Sequence, residues 1–123
     1  MGLDLSLYKN GKEICYGRKA WTLFEFFRTA DEISEYECRV PLSRIKEFVN
    51  LLKDDEDFLE SICGRGDLSE EEYEKCETIC SKIAFDDCCQ LGADWEASAY
   101  YCWYEALKGE EEEEAEYILD ASW

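Results

Sequence analysis

The chain is 123 residues long, 46% hydrophobic and 15% aromatic, with 31 acidic residues against 13 basic ones, no histidine, and a formal net charge of −18. Its size and aromatic content predict one folded domain over 1–123 rather than a disordered segment. The missing histidine excludes Ser-His-Asp and Cys-His catalysis, and a field of this sign repels phosphate backbones, which disfavours direct nucleic-acid binding.

Leu3, Leu5 and Leu7 alternate with Asp4 and Ser6, the period-2 pattern of a strand with one apolar face. Asn10-Gly11 follows, and both residues tolerate the positive φ of a type I′ turn, so a hairpin is predicted. Ile14 and Tyr16 resume the alternation beyond it. The period then changes: Trp21, Phe24 and Phe27 recur every third residue beside Leu23, as on the buried stripe of a helix. Residues 28–34 read as a polar connection. Tyr36 to Val40 is a short candidate strand that stops at Pro41, the only proline. Leu42, Ile45, Phe48, Val49 and Leu52 fall at helical spacing, with Arg44, Lys46 and Glu47 on the other side.

From residue 54 the composition shifts. Residues 1–53 carry nine Lys/Arg and eight Asp/Glu, a net of +1, whereas 54–123 carry four Lys/Arg and 23 Asp/Glu, a net of −19. Asp54, Asp55, Glu56 and Asp57 predict the end of the preceding helix or a loop, and Gly64 to Asp67 a further loop. The Arg-Gly-Asp tripeptide there carries no weight, because the chain shows no secretion signal. Ser69 and Glu72 have capping-box spacing and predict a helix start, with Glu70 and Glu71 at the positive end of its dipole. Tyr73, Cys76, Ile79, Cys80 and Ile83 form its apolar stripe.

Asp86 to Gly92 interrupts the pattern. Asp94 is predicted to cap a last helix that turns Trp95, Ala99, Cys102, Trp103, Ala106 and Leu107 inward. That leaves Tyr100 and Tyr104 off the stripe, beside Glu96 and Glu105. Gly109 marks a stop, and the glutamates at 110–114 read as a solvated turn. Tyr117, Leu119, Ala121 and Trp123 alternate in a final strand expected to return to the N-terminal hairpin. The predicted class is α+β: an N-terminal β-hairpin joined by a C-terminal strand, with a further short strand near 36–40, packed against about four helices.

No apolar run approaches the ~20 residues that span a bilayer, and the N-terminus lacks the basic and then apolar layout of a signal peptide. A cytoplasmic location with no membrane partner is therefore expected. The eight cysteines then read as reduced, small buried hydrophobes. Cys76 and Cys80 lie one helical turn apart with Cys88 and Cys89 close behind, which raises zinc. A helix stripe and an adjacent pair make a poor tetrahedral set, so core packing is preferred and no metal is expected. The acidic runs also fail as an EF-hand, since no glycine sits sixth after Asp54, Asp55 or Asp57.

The chain starts MGLD, carries YGRKAW before the aromatic helix, and closes on ASW. This layout resembles a family of small bacteriophage and prophage proteins that begin MGLD, carry Tyr-Trp-Arg-Lys-Ala-Asn leading to Ile-His-x-Trp-Phe, and end in Ser-Ser-Trp. Tyr16, Arg18, Lys19, Ala20 and Phe27 match that segment. Gly17, Trp21 and Phe24 depart from it, Phe24 where the family has histidine, so any role needing that histidine is absent here. The resemblance covers the two ends and the first helix. It brings no activity with it. What it implies is a phage gene, and small acidic phage proteins often act against host defences or host nucleic-acid enzymes.

Charge and resemblance together point to a non-enzymatic, anti-defence inhibitor of anti-CRISPR type, with no cofactor. Glu70, Glu71, Glu72, Glu74, Glu96, Glu105, Glu110, Glu111 and Glu112 are its candidate contacts with a basic, nucleic-acid-binding surface of a host or defence protein. Tyr100 and Tyr104 would supply contact area to this nucleic-acid mimic. The alternative is a small-ligand binder that holds a nucleotide signal on Tyr16, Arg18, Lys19 and Trp21, a cation-plus-ring set where a helix opens. The acidity would then serve solubility alone. A second copy of the chain is also an admissible partner. Among 31 carboxylates a pair at hydrolytic spacing is expected by number alone, so it lends acid–base catalysis no support.

Protein purified under reducing conditions should show eight alkylatable thiols by mass spectrometry and no zinc by metal analysis. One equivalent of zinc that is lost on Cys76→Ser would reverse that assignment.

Overall fold

The computed structural model describes residues 3–83 and 92–122. The hairpin forms where Asn-Gly demands it. Asn10 and Gly11 take φ of 51° and 84°, and Lys9 faces Lys12 across the turn. Strands β1 (Asp4–Lys9) and β2 (Lys12–Arg18) flank it. Asn10 also ties the turn to the far end of the chain: its N–H donates to the Glu116 carbonyl at 2.8 Å, and its side-chain oxygen accepts from the Glu116 N–H at 2.9 Å.

The pairing slips by one residue between Leu7 and Tyr8, because Leu7 faces Cys15 and Tyr8 faces Glu13. Ile14 is the extra residue of this bulge. It turns Cys15 into the core and Tyr16 outward, 54% exposed, so Tyr16 does not share the buried face.

Helix α1 (Trp21–Phe27) buries Thr22, Leu23, Phe26 and Phe27. The predicted stripe through Trp21 and Phe24 is thus rotated; those two rings pack at the margin of the core. Strand β3 (Glu37–Arg39) and helix α2 (Leu42–Leu52) fall where the sequence places them, with Ile45, Phe48 and Leu52 buried on α2. The acidic stretch after it does not become a loop. A 3-10 turn (Lys53–Asp55) leads into α3 (Glu56–Ile62), whose Leu59 and Ile62 are buried. Acid in a first turn suits the helix dipole, and those two apolar residues supply the inward face.

Helix α4 (Glu70–Ile83) opens with the predicted capping box: the Glu72 N–H donates to Ser69 Oγ at 3.2 Å, and the Ser69 N–H donates to Glu72 Oε1 at 3.0 Å. Helix α5 (Ala93–Leu107) is capped by Gly92 at φ 99° rather than by Asp94, which sits inside the first turn. Except for Gly92, the interruption predicted at Asp86–Gly92 lies outside the described residues, as do Cys88, Cys89 and Trp123.

Strand β4 (Tyr117–Ser122) returns to the hairpin as expected. The architecture is α+β. Among the described residues the strands form one antiparallel sheet in the order β2-β1-β4-β3, so the last strand of the chain is a central one. Leu5 and Leu7 on β1, Tyr117, Leu119 and Ala121 on β4, Cys15 on β2 and Cys38 on β3 point to the helices and are buried. Asp4, Ser6, Tyr8, Ile118, Asp120, Glu37 and Arg39 take the other face.

The core is aromatic where α5 crosses the sheet. Phe27 stacks on Trp103 at 5.6 Å between centroids and lies 5.0 Å from Phe48, and the Phe48 ring meets Tyr100 edge-on at 6.4 Å. No helix among the described residues is long and apolar enough to cross a membrane.

Leu119 sits on a central strand with 1% exposure. Leu119→Ala should cost about 2–5 kcal/mol in urea denaturation. Glu13→Ala, at an exposed position of the edge strand, should stay within about 0.5 kcal/mol.

Candidate partner-binding surface

Helix α5 decides which predicted contact residues a partner can reach. Its buried positions are Ala93, Glu96, Ala97, Tyr100, Trp103, Tyr104 and Leu107. The expected stripe is therefore displaced by about one residue. Trp95 is 50% exposed and Cys102 is exposed, while Tyr100 and Tyr104 are 0% and 4% exposed and belong to the core. Neither tyrosine is an anchor for a partner.

Glu96 is also corrected, at 2% exposure. Its carboxylate accepts from Thr22 Oγ1 at 2.6 Å, and the Tyr100 hydroxyl donates to that same Thr22 oxygen at 2.7 Å. Burial pushes the Glu96 carboxyl above its ordinary range, and the Thr22 hydroxyl only partly offsets this. A carboxyl, a hydroxyl and a phenol in line have the components of proton transfer. Thr22 and Tyr100 are both fully buried, however, and no substrate reaches them. The chain of hydrogen bonds joins α1 to α5.

The remaining carboxylates divide by whether a cation answers them. Lys9 holds Glu110 at 2.7 Å and Glu112 at 3.2 Å. Partial burial pushes the Glu110 carboxyl up, but Lys9 and the Tyr117 hydroxyl outweigh it and hold the group below its ordinary value. Glu110 is thus tied to the sheet rather than carried on a solvated turn. Lys108 takes both Glu56 and Glu105 at 3.1 Å, and its ammonium holds the Glu105 carboxyl low. Arg65 pairs with Glu72 at 3.0 Å, and the Ser69 N–H and then Arg65 hold Glu72 low. Lys82 reaches Asp55 at 2.8 Å, and Lys75 lies over the Phe58 ring at 4.8 Å.

The cations of the acidic half are therefore engaged internally. Glu70, Glu71, Glu74 and Glu77 on α4 are exposed and form no ion pair among the described residues. Successive carboxylates at 70, 74 and 77 are helical neighbours, roughly 5–6 Å apart at Cβ. Tyr73 lies in the same row, 38% exposed, with its hydroxyl accepting from the Ala93 N–H at 3.4 Å at the start of α5. Trp95 presents half its surface in the first turn of α5. Glu71 also faces solvent, as does Glu111 in the following run.

Of the predicted contacts, Glu70, Glu71, Glu74 and Glu111 are accessible and form no ion pair among the described residues. Glu72, Glu105, Glu110 and Glu112 answer lysines or an arginine, and Glu96, Tyr100 and Tyr104 are interior. Two signals were available for the aromatic members missed: Tyr73 at i+3 from Glu70, and Trp95 three positions from the true N-cap.

The alternative set does not converge. Tyr16 and Arg18 lie on the outer face of β2, with the Tyr16 hydroxyl donating to Asp4 Oδ1 at 3.1 Å. Lys19 takes φ 55° between the strand and α1, and Trp21 packs against the core. Cys76 and Cys80 are buried, and burial pushes the Cys76 thiol up to about 11, which disfavours a thiolate ligand. No group of metal-ligating side chains forms among the described residues. A search for similarity finds no matching family model, curated protein or solved structure.

The Glu96 shift fixes the sign of a pH effect. A carboxyl whose folded value is raised contributes stability that is present below its ordinary 4.5 and is lost as pH rises through the folded value. Glu96→Gln keeps an acceptor for Thr22 and has no charge to bury. It should unfold at higher temperature than the parent at pH 7, with the gap narrowing toward pH 4. A parent that loses stability relative to Glu96→Gln as pH falls from 7 to 4 would contradict the assignment.

Proposed function

We propose that the protein is a non-enzymatic acidic inhibitor that covers a basic, nucleic-acid-binding surface of a host or defence protein, as phage anti-defence proteins do. The observation that carries this reading is the α4 face. Glu70, Glu71, Glu74 and Glu77 stay exposed and unpaired while the cations of the acidic half are engaged elsewhere. A net of −19 over 54–123 sets the long-range field, which steers a basic partner toward contact. Tyr73 and Trp95 take the anchoring role first assigned to Tyr100 and Tyr104, since partly exposed aromatic rings carry more binding energy than rim charges. The run at 111–114 contributes mainly to association rate.

The reading is tested by capturing the partner from host lysate on immobilised full-length protein, identifying it, and measuring affinity between about 50 and 200 mM salt. Binding should weaken steeply over that range, as in phosphate recognition, and DNA or RNA should compete for the same surface. Glu70→Lys, Glu74→Lys and Glu77→Lys together should abolish binding with helix content unchanged, and Trp95→Ala should weaken it by about thirtyfold, or ~2 kcal/mol. A partner that binds this protein and its nucleic acid at once, with neither affinity altered, would overturn the proposal.

A further inference from the structure

Helix α1 is only seven residues long, and its C-cap Arg28 takes φ −60° and ψ 134°, so the chain leaves the helix extended. Residues 29–37 then return along the outer edge of β3, where Glu32 bridges to Cys38, and a groove remains between this segment and the inner face of the sheet. Backbone hydrogen bonds hold its rim. The Arg39 N–H donates to the Asp31 carbonyl at 2.8 Å, the Ile33 N–H to the Glu37 carbonyl at 2.8 Å, and the Ala121 N–H to the Tyr36 carbonyl at 2.9 Å. Two hydroxyls reinforce it, Thr29 Oγ1 donating to the Arg39 carbonyl at 2.6 Å and Ser34 Oγ to Glu37 Oε1 at 3.0 Å. The groove is thus built by the fold itself. It encloses about 320 Å³, at the small end of the roughly 300–1,000 Å³ of small-molecule sites. Cys38, Leu119 and Ala121 form its base, and the Phe24 and Tyr36 rings stand beside it.

Both signs of charge line this groove without meeting. The Arg28 guanidinium lies over the Phe24 ring at 5.5 Å rather than against a carboxylate. Glu32 and Glu35 line the same cavity, and neither they nor Arg28 form an ion pair among the described residues. Glu37, the third acid, accepts from Ser34. A purely anionic ligand would face three carboxylates, and a simple diamine would leave Arg28 opposing it. One cation and three carboxylates over an apolar base instead complement a ligand with one carboxylate, two cations and a methylene stem between them. We propose that the groove binds a basic α-amino acid, arginine or lysine. Its α-carboxylate pairs with Arg28, where a guanidinium offers a directed, two-pronged contact. Its two cationic groups lie among Glu32, Glu35 and Glu37, and its methylenes and side-chain cation rest against Phe24 and Tyr36. This site does not depend on the reading of the α4 face.

The test titrates isotopically labelled full-length protein with millimolar L-arginine and L-lysine and follows amide shifts by NMR. Agmatine, which lacks the carboxylate, and L-leucine, which lacks the side-chain cation, are titrated in parallel. Shifts should saturate for arginine and lysine and concentrate on residues 28–38 and 119–121. Agmatine and leucine should each bind about tenfold more weakly, the worth of one charged contact. Arg28→Gln should weaken arginine binding about tenfold and leave agmatine unaffected, whereas Glu35→Gln should weaken both ligands alike. Arg28 and Glu35 are exposed, so both variants should keep the parent's unfolding temperature. The absence of a saturable shift with arginine and lysine would overturn the proposal. So would equal affinity for arginine and agmatine, or shifts centred on α4, where a cation would be drawn by field alone.

Discussion

The close approach of Trp103 to Gly17 sets the position of α5, and much else follows from α5. A Cβ on residue 17 would stand 3.2 Å from Trp103 Nε1 and 3.1 Å from the Ala20 Cβ, so the indole and Ala20 would have to give by a few tenths of an ångström to admit a side chain there. With glycine in place, the Trp103 N–H donates to the Tyr16 carbonyl at 3.3 Å, and the ring stacks on Phe27. The indole thereby satisfies a polar atom and fills an apolar gap in one placement. Fixing the helix at this height brings Tyr100 to Thr22 and Glu96 beside it. It also gives α4 a surface to lie on, and α4 buries Cys76, Ile79, Cys80 and Ile83 while turning its glutamates to water.

The parts of the fold that were legible in the sequence are those with a strong period or a dedicated turn chemistry. Asn10-Gly11, the alternation from Tyr117, the α2 spacing and the Ser69–Glu72 pair each had one physical reading, and each formed. Helix α5 was harder. Its segment carries aromatic residues at 95, 100, 101, 103 and 104, so apolar side chains lie all round it and no single stripe stands out. Glu96 then occupies an inward position that hydrophobicity assigns to an apolar residue. The offset put Tyr100 and Tyr104 on the wrong side of the helix. Helix α3 was hidden for the opposite reason, because four consecutive acids resemble a break and its buried face is only Leu59 and Ile62.

The candidate surface was legible in charge and not in detail. Counting residues located the acidic half, but only geometry distinguishes a carboxylate that answers a cation from one that does not. Glu72, Glu105 and Glu110 look no different from Glu70, Glu71 and Glu74 along the chain. The first three are spent in holding a loop, a helix end and the ends of the two central strands. Such internal pairs reduce self-repulsion within a chain of net −18, and on α4 they leave Glu70, Glu71, Glu74 and Glu77 without an ion pair among the described residues. Placement of a few lysines and arginines has thus shaped a negative surface as much as the glutamates have.

The position of β4 has a consequence for synthesis. Leu5 pairs with Ala121, 116 residues later, and that pairing occupies the inner edge of β1. On the ribosome, at about 5–20 residues per second, the edge waits on the order of ten seconds for its partner. A two-stranded hairpin is marginal alone, so the sheet closes only once β4 has been synthesised, with the long-range pairing that slows folding. During that interval the charged ends of the hairpin, Asp4 and Arg18 at one end and Lys9 and Lys12 at the other, are its protection against pairing with neighbouring nascent chains.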